Sequence, residues 1–210
     1  MSKELFAAIE QHDAAQVKTL LAGGADPNEP QSDERGLRPL QEAIFALCDG
    51  GEVDVLQVLI EHGADVNAWD ANRDLTPLLT AVCEQEVEAL EVLVRAGADP
   101  NVRGGEGDTP LRISAEVGSL AMAALLLYAG AARTINDWGG LSGLTALGHA
   151  ALRLDLPMIK LLLAAGADPR APDEDDRPAH FRLPPRAESD SQTWDAAFEL
   201  LGGAKDRMPL

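Results

Sequence analysis

A five-residue motif recurs along the chain at nearly constant spacing, and it constrains the fold more than any other feature. The motif reads Gly-Ala-Asp, then Pro or Val, then Asn or Arg. Successive glycines of the motif are separated by 39, 34, 33, 36 and 37 residues. A period of this length indicates similar structural units stacked in series. Complete copies begin at Gly24, Gly63, Gly97 and Gly166, and degenerate copies begin at Gly130 and Gly203.

A second motif, Thr-Pro-Leu or a variant of it, precedes these glycines. Thr76, Thr109 and Thr145 each lie 21 residues before the next motif glycine. The variants at Arg38 and Arg177 lie 25 and 26 residues before theirs. Thr caps a helix and Pro fits its first position, while Gly ends a helix readily. The pattern therefore predicts two short helices in each unit, such as residues 77–84 and 87–96.

The second helix of each unit has one apolar face, which a single helix pair cannot bury, so neighbouring pairs are expected to stack. With both motifs and a period of about 33 residues, the chain resembles the ankyrin repeat family over residues 2–204. The resemblance implies an all-α solenoid of helix-turn-helix units. It also implies hairpin-like fingers, the segments that run from each motif glycine to the next Thr-Pro-like motif.

The resemblance implies one ankyrin-repeat domain at residues 1–204, followed by a tail at 205–210. The first and last units act as caps. The units span approximately residues 2–28, 29–67, 68–101, 102–136, 137–170 and 171–204.

One departure from the family pattern concerns the His that usually follows Thr-Pro-Leu. Its place is taken by Leu79, Arg112 and Gly148 in the three best units, and His appears only as His180 in the last cap. The bond between the Thr hydroxyl and this imidazole is therefore absent, and we expect less rigid helix starts.

Charge and composition narrow the possible partners. The chain carries a formal charge of −18, which opposes binding to nucleic acid or to anionic lipid. A protein with a basic and partly apolar surface fits better, although the acidity also serves solubility. No stretch approaches the roughly 20 apolar residues of a membrane span. The start of the chain does not resemble a secretory signal, and with only two cysteines this predicts a cytoplasmic protein. We also expect a monomer. Arg outnumbers Lys 13 to 4 beside abundant Ala and Gly, which indicates a bacterial source.

In the ankyrin family, partners lie on the concave surface formed by the fingers and the first helices. The fingers here differ in length, at 14, 13, 12, 15 and 11 residues, as expected of a binding edge. Trp69 and Trp138 each follow a finger Asn by two residues, and such rings either anchor a partner or lie flat on the next finger. Trp194 is expected in the core. The predicted partner-binding residues are Trp69, Trp138, Phe45, Glu42, Arg103, Glu84, Glu116, His149, Arg153, Asp173 and Asp175.

Motifs for catalysis, cofactors or metals are not recognisable. The glycines of residues 104–107 follow no strand and precede no Lys, so they predict a turn and not a phosphate-binding loop. The acidic run at residues 173–176 lacks the spacing of a calcium loop. We therefore expect no cofactor, no metal and no enzymatic activity.

These observations predict a non-catalytic module that binds and either masks or scaffolds another protein. The alternatives are a bacterial immunity protein that neutralises a basic toxin, a secreted effector and a general scaffold. Fold alone does not distinguish them, because it fixes a surface and not the partner.

Overall fold

The computed structural model describes residues 2–203; the predicted tail at 205–210 and residue 204 lie outside this range. Within it, the regular secondary structure is helical apart from one pair of two-residue strands, which confirms the expected all-α class. The helices are α1 Ser2–Glu10, α2 Ala14–Ala22, α3 Pro39–Cys48, α4 Asp54–Glu61, α5 Pro77–Cys83, α6 Val87–Arg95, α7 Pro110–Val117, α8 Leu120–Tyr128, α9 Ala146–Leu152, α10 Leu156–Ala164 and α11 Ser191–Leu200. The strands are β1 Trp138–Gly139 and β2 Leu144–Thr145, and 3₁₀ turns span Ala131–Thr134, Ala179–Arg182 and Arg186–Glu188.

The chain divides into two compact units, with the boundary between Asp99 and Pro100. In the first unit, α1 packs on α3, α3 on α5, and α2 on α4. In the second unit, α7 packs on α9, α9 on the Ala179–Arg182 turn, and α10 on α8 and α11. Like elements thus stack on like elements within each unit.

The helix starts carry hydroxyl caps although the motif imidazole is missing. The hydroxyl oxygens of Thr76, Thr109 and Thr145 accept hydrogen bonds from the backbone N–H three residues later, at 3.4, 3.3 and 3.0 Å. In the first variant motif, the Gln41 side chain instead accepts a hydrogen bond of 2.9 Å from the backbone N–H of Arg38. The starts of α3, α5, α7 and α9 are therefore capped without a His.

The glycine that ends each second helix has left-handed backbone geometry. Gly97 and Gly166 have φ values of 93° and 97°, which glycine adopts at little cost and other residues rarely adopt. The leucines of these helices, such as Leu59, Leu93 and Leu162, are fully buried. The recurring motif therefore marks the end of a helix whose apolar face lies in the core.

The Asn that closes the motif bonds one repeat to the next. In the first unit, the Asn67 side chain accepts a hydrogen bond from the Asp99 backbone N–H at 2.8 Å and donates one to the Gly97 carbonyl at 3.3 Å. This contact explains why Asn recurs at that position. Equivalent bonds join Asn28 to Gly63 and Asp65, Asn101 to Gly130, and Asn136 to Asp168.

The last repeat is irregular at its first helix. In place of a first helix it has only the Ala179–Arg182 turn, because Pro184 and Pro185 follow and prevent its continuation. Trp194 is buried as expected and stacks on Phe198 with ring centroids 4.9 Å apart. None of the described helices is both long and apolar enough to cross a bilayer.

Candidate partner-binding site

The fingers of the second unit are joined through their backbones. The N–H of Gly140 donates a 2.9 Å hydrogen bond to the carbonyl of Glu106 on the preceding finger. Gly139 lies so close to that finger that an added Cβ would overlap the Gly107 carbonyl oxygen. β1 and β2 pair antiparallel, with Trp138 opposite Thr145. The position of Trp138 is therefore fixed by backbone contacts on two sides.

Trp138 is 49% exposed and lines an open pocket of about 640 Å³ in the second unit. An indole that retains this much exposure has apolar area left to bury against a partner. The walls come from three successive fingers of the unit. The lining residues are Arg103, Glu106, Gly107, Asn136, Asp137, Trp138, Gly139, Asp168, Ala171 and Pro172.

Trp69 lies at the equivalent place in the first unit, but its surroundings differ. It is only partly exposed, and its pocket of about 500 Å³ contains two arginines and two aspartates, Arg38, Arg73, Asp65 and Asp70. The guanidinium of Arg38 donates hydrogen bonds to the backbone carbonyls of Trp69 and Asn28. This pocket already contains a cation that belongs to the protein itself.

A cluster of buried polar side chains connects α7 and α9. Arg112, at the position of the missing motif His, is 3% exposed and forms an ion pair with Asp108. Its Nη1 lies 3.0 Å from Oε2 of Glu116 and 2.8 Å from Nε2 of His149. Sequence reasoning missed this role of Arg112, although a charged residue at a buried motif position was a usable signal.

His149 was predicted to face a partner, and that prediction of exposure is wrong because its side chain is buried at 4% exposure. Burial lowers the pKa of His149 to about 4, with Glu116 opposing the shift and Arg112 adding to it. A neutral ring suits the contact, since Nε2 must accept the hydrogen bond that Arg112 donates.

The Ser142 hydroxyl also lies 3.0 Å from Nε2 of His149, which brings a hydroxyl and an imidazole together. This Nε2 is already the acceptor for Arg112, so its lone pair is not free to take the Ser142 proton. The low pKa of His149 weakens it further as a base. The arrangement therefore builds structure between two helices and does not activate a nucleophile.

Glu42 and Asp173 were also expected at the binding surface, and both are buried, at 6% and 4% exposure. Burial raises the pKa of Glu42, with Arg35 3.6 Å away partly opposing this. Burial alone would raise the pKa of Asp173, but hydrogen bonds from Arg182 and from backbone N–H groups hold it below its usual value. The Glu42 carboxylate is therefore a buried part of α3, and the Asp173 carboxylate stabilises the last finger through its hydrogen bonds.

The remaining predicted residues keep exposed or partly exposed side chains. Phe45 is partly exposed, and Arg103, Glu84, Glu116, Arg153 and Asp175 are exposed. Arg103 lies in the Trp138 pocket, and Arg153 donates to the Glu116 carbonyl at 3.3 Å. The structure brings Arg103 and Trp138 together, and it adds Glu106, Asp137 and Asp168, which sequence reasoning missed.

Comparison with known proteins identifies the class. The family model of ankyrin repeats (3 copies) matches residues 5–104 and 96–173, which is more than half of the chain. The chain therefore belongs to the ankyrin repeat family, as its motifs indicated. Ankyrin repeats bind other proteins.

Particular proteins resemble the chain to different extents. Zinc finger CCCH domain-containing protein 50 of Oryza sativa is 42% identical over 90 residues, which is 41% of this chain and 14% of that protein. The 2-5A-dependent ribonuclease of Mus musculus is 36% identical over 77 residues, 37% of this chain and 10% of that enzyme. The match thus spans only a small part of each of these curated relatives.

Two solved structures match nearly the whole chain. The ankyrin repeat protein EF0377 superposes with a TM-score of 0.77 at 24% identity, covering 96% of this chain and 98% of that one, which establishes the fold. A chain of the complex between the predatory endopeptidase Bd0816 of Bdellovibrio bacteriovorus and the immunity protein Bd3460 gives a TM-score of 0.75 at 29% identity. That match covers 94% of this chain and 98% of the other.

Proposed function

We propose that this chain is a non-catalytic immunity protein, which binds a toxic enzyme of opposite charge and masks it. The observation that carries the proposal is the similarity, at 29% identity over 94% of the chain, to a chain of a complex that contains an endopeptidase and an immunity protein. The partner proposed here is a peptidase or a nuclease with a basic, partly apolar patch.

The charge of the chain supports this choice of partner. A net charge of −18 on 210 residues attracts a basic protein over a distance and accelerates encounter at low salt. Fast association benefits an immunity protein, because the toxin must be bound before the toxin acts. The proposed contacts in the second unit are Trp138 and Arg103, with Glu116 on α7 and Arg153 directly after α9. Those in the first unit are Trp69, Phe45 and Glu84.

A scaffold is the second candidate. In the rice and mouse relatives, the matching segment makes up 14% and 10% of a much longer protein, so a related segment serves there as one part of a larger molecule. A scaffold holds several partners without inhibiting any of them. Inhibition at a one-to-one ratio is therefore the property that separates the two candidates.

The test is co-expression with each toxic peptidase or nuclease encoded beside this chain in its source. We expect the chain to restore growth against one of them and to inhibit that purified enzyme at a one-to-one ratio, with an affinity that falls as salt rises. Trp138→Ala is expected to weaken binding by roughly 30-fold, the effect of losing about 2 kcal/mol. Binding without inhibition supports the scaffold instead.

The matched control is Tyr128→Ala, which removes an aromatic ring that is 92% exposed on α8 and does not line the Trp138 pocket. It is expected to leave inhibition unchanged. Failure to protect against every neighbouring toxin overturns the immunity proposal.

A further inference from the structure

We infer that the Trp138 pocket receives a single basic side chain, Arg or Lys, of the partner, held by the indole ring and by the carboxylates of Glu106 and Asp168. This inference rests on the proposed function in one respect, because the side chain belongs to the protein that the chain binds. Beyond the proposed function, the inference names the pocket that recognises a positive charge of the partner and the residues that bind it.

The charge balance of the pocket favours a cation. Its lining contains three carboxylates, on Glu106, Asp137 and Asp168, and one guanidinium, on Arg103. Nη2 of Arg103 lies 2.5 Å from Oδ2 of Asp137, so these two charges neutralise each other. The lining therefore retains two negative charges beside an exposed ring.

The ring supplies the second element of recognition. A cation over a Trp face is attracted by the ring quadrupole, and Trp is the best of the aromatic side chains for this contact. Trp138 is about half exposed, and Ala171 and Pro172 add short apolar walls that suit the methylene stem of Lys or Arg. An anionic side chain meets two like charges here, and a purely apolar one leaves the carboxylates without a partner.

The pocket is organised before a ligand arrives. Asn136 accepts a 2.8 Å hydrogen bond from the backbone N–H of Asp168, and Glu106 is joined to Gly140 through its carbonyl. Oδ1 of Asp168 accepts a 2.8 Å bond from the backbone N–H of Arg170, which orients this carboxylate. The pocket residues therefore need little further ordering when a side chain binds, which lowers the entropic cost of binding.

The Trp69 pocket of the first unit provides an internal comparison. Its two arginines balance its two aspartates, and Arg38 is bonded to the Trp69 carbonyl. The carboxylate of Asp70 already accepts hydrogen bonds from the backbone N–H groups of Asp74 and Leu75. Of the two tryptophan pockets, only that of Trp138 has the charge to select a cation.

The experiment uses the whole chain with fluorotryptophan in place of Trp, observed by fluorine NMR, with the Trp138 signal assigned from Trp138→Phe. The probes are N-acetyl-argininamide, N-acetyl-lysinamide and the neutral isostere N-acetyl-citrullinamide. We expect a saturable shift of the Trp138 signal with the two cations and binding of the neutral probe that is about tenfold weaker, or about 1.4 kcal/mol. The Trp69 signal is expected to respond weakly to all three probes.

The variants Glu106→Gln and Asp168→Asn each keep shape and hydrogen-bonding capacity while removing a charge. Each is expected to weaken binding of the arginine probe about fivefold, and the matched variant Asp65→Asn, in the Trp69 pocket, is expected to have no effect on it. Equal shifts with the citrulline probe, equal responses of both tryptophans, or no saturable shift overturn the inference.

The pocket and the proposed function can fail separately. Selective binding of the cationic probes, in a chain that inhibits no toxin, supports the pocket and overturns the immunity proposal. Inhibition of a toxin that survives the Glu106→Gln, Asp168→Asn double variant without loss of affinity overturns the pocket and leaves the proposed function in place.

Discussion

Nη1 of Arg112 lies 2.8 Å from Nε2 of His149, although the two residues are 37 positions apart and belong to different helices. The guanidinium is always charged and can only donate, so the imidazole must be neutral and must accept. A proton on this nitrogen removes the acceptor and places a second positive charge in a buried cluster. This relationship makes the stability of the second unit depend on pH.

The first prediction concerns that pH dependence. The pKa of His149 is lowered from 6.5 to about 4, so the unfolded chain binds a proton at this residue between these values and the folded chain does not. Above pH 6.5 the titration of His149 therefore leaves the free energy of unfolding unchanged. As the pH falls from 6.5 towards 4, this free energy decreases. The expected loss at pH 5 is about 2 kcal/mol relative to pH 7.5.

His149→Gln removes this titration while keeping an acceptor for Arg112. We expect the variant to lose less stability than the wild type when urea unfolding is compared at pH 7.5 and pH 5. Other groups, including His180, whose pKa burial also lowers, titrate in both proteins and cancel in the difference. An identical pH dependence in the two proteins contradicts the prediction.

The second prediction separates two neighbouring aspartates of the last finger. Asp173 is buried and accepts hydrogen bonds from Arg182 and from the backbone N–H groups of Asp175 and Arg177. Asp173→Asn removes the charge and part of this acceptor set, and is expected to lower the free energy of unfolding by about 2–3 kcal/mol.

Asp175 is the matched control, because its side chain is 62% exposed and bonds to the same Arg182 at 2.8 Å. Asp175→Asn is expected to change stability by less than about 1 kcal/mol, as for an exposed ion pair. Chemical denaturation of both variants provides the test, and equal losses would show that Asp173 has no special structural role.

The third prediction concerns the bond between repeats made by Asn67. Asn67→Ala removes an acceptor from the Asp99 N–H and a donor from the Gly97 carbonyl, with an expected cost of about 1–2 kcal/mol. Hydrogen exchange of the Asp99 amide is expected to accelerate. Gln57→Ala, at an exposed position of α4, serves as the control and is expected to stay within about 0.5 kcal/mol of the wild type.

The fourth prediction concerns the close approach of two finger backbones. An alanine at position 139 meets the Gly107 carbonyl, and this contact cannot relax without moving a finger. Gly139→Ala is expected to cost about 1–3 kcal/mol and to expose the Gly140 N–H to exchange with solvent. In Gly166→Ala the new Cβ meets no atom within 4 Å, so only backbone strain is added and the Gly140 amide is expected to remain protected.

Much of the fold was predictable because its signals are local. The predicted helices at residues 77–84 and 87–96 correspond to Pro77–Cys83 and Val87–Arg95. A Thr cap, a Pro in the first turn and a closing Gly act within a few residues of one another, so they are legible in the sequence. The recurrence of these signals then revealed the stack of repeats.

The candidate site was less predictable because the burial of a side chain depends on what the folded chain places around it. His149, Glu42 and Asp173 were assigned to the surface from their place in the repeat, and each is buried by contacts specific to this chain. Trp69 and Trp138 occupy equivalent positions, yet the pocket residues around them carry different charges. The position of a residue in the repeat predicts where it lies on its unit. It does not predict which residues of the neighbouring finger surround it, or what charges they carry.

The sequence by itself determined the family and the bounds of central helices such as α5 and α6, because capping and helical periodicity are interactions between residues close in the chain. Only the tertiary structure decided which polar side chains are buried and that Trp138 stands beside unneutralised carboxylates. Those properties depend on which side chains the fold brings together, such as Arg112 with His149, 37 positions away, or Glu106 and Asp168 with Trp138, each about 30 positions away.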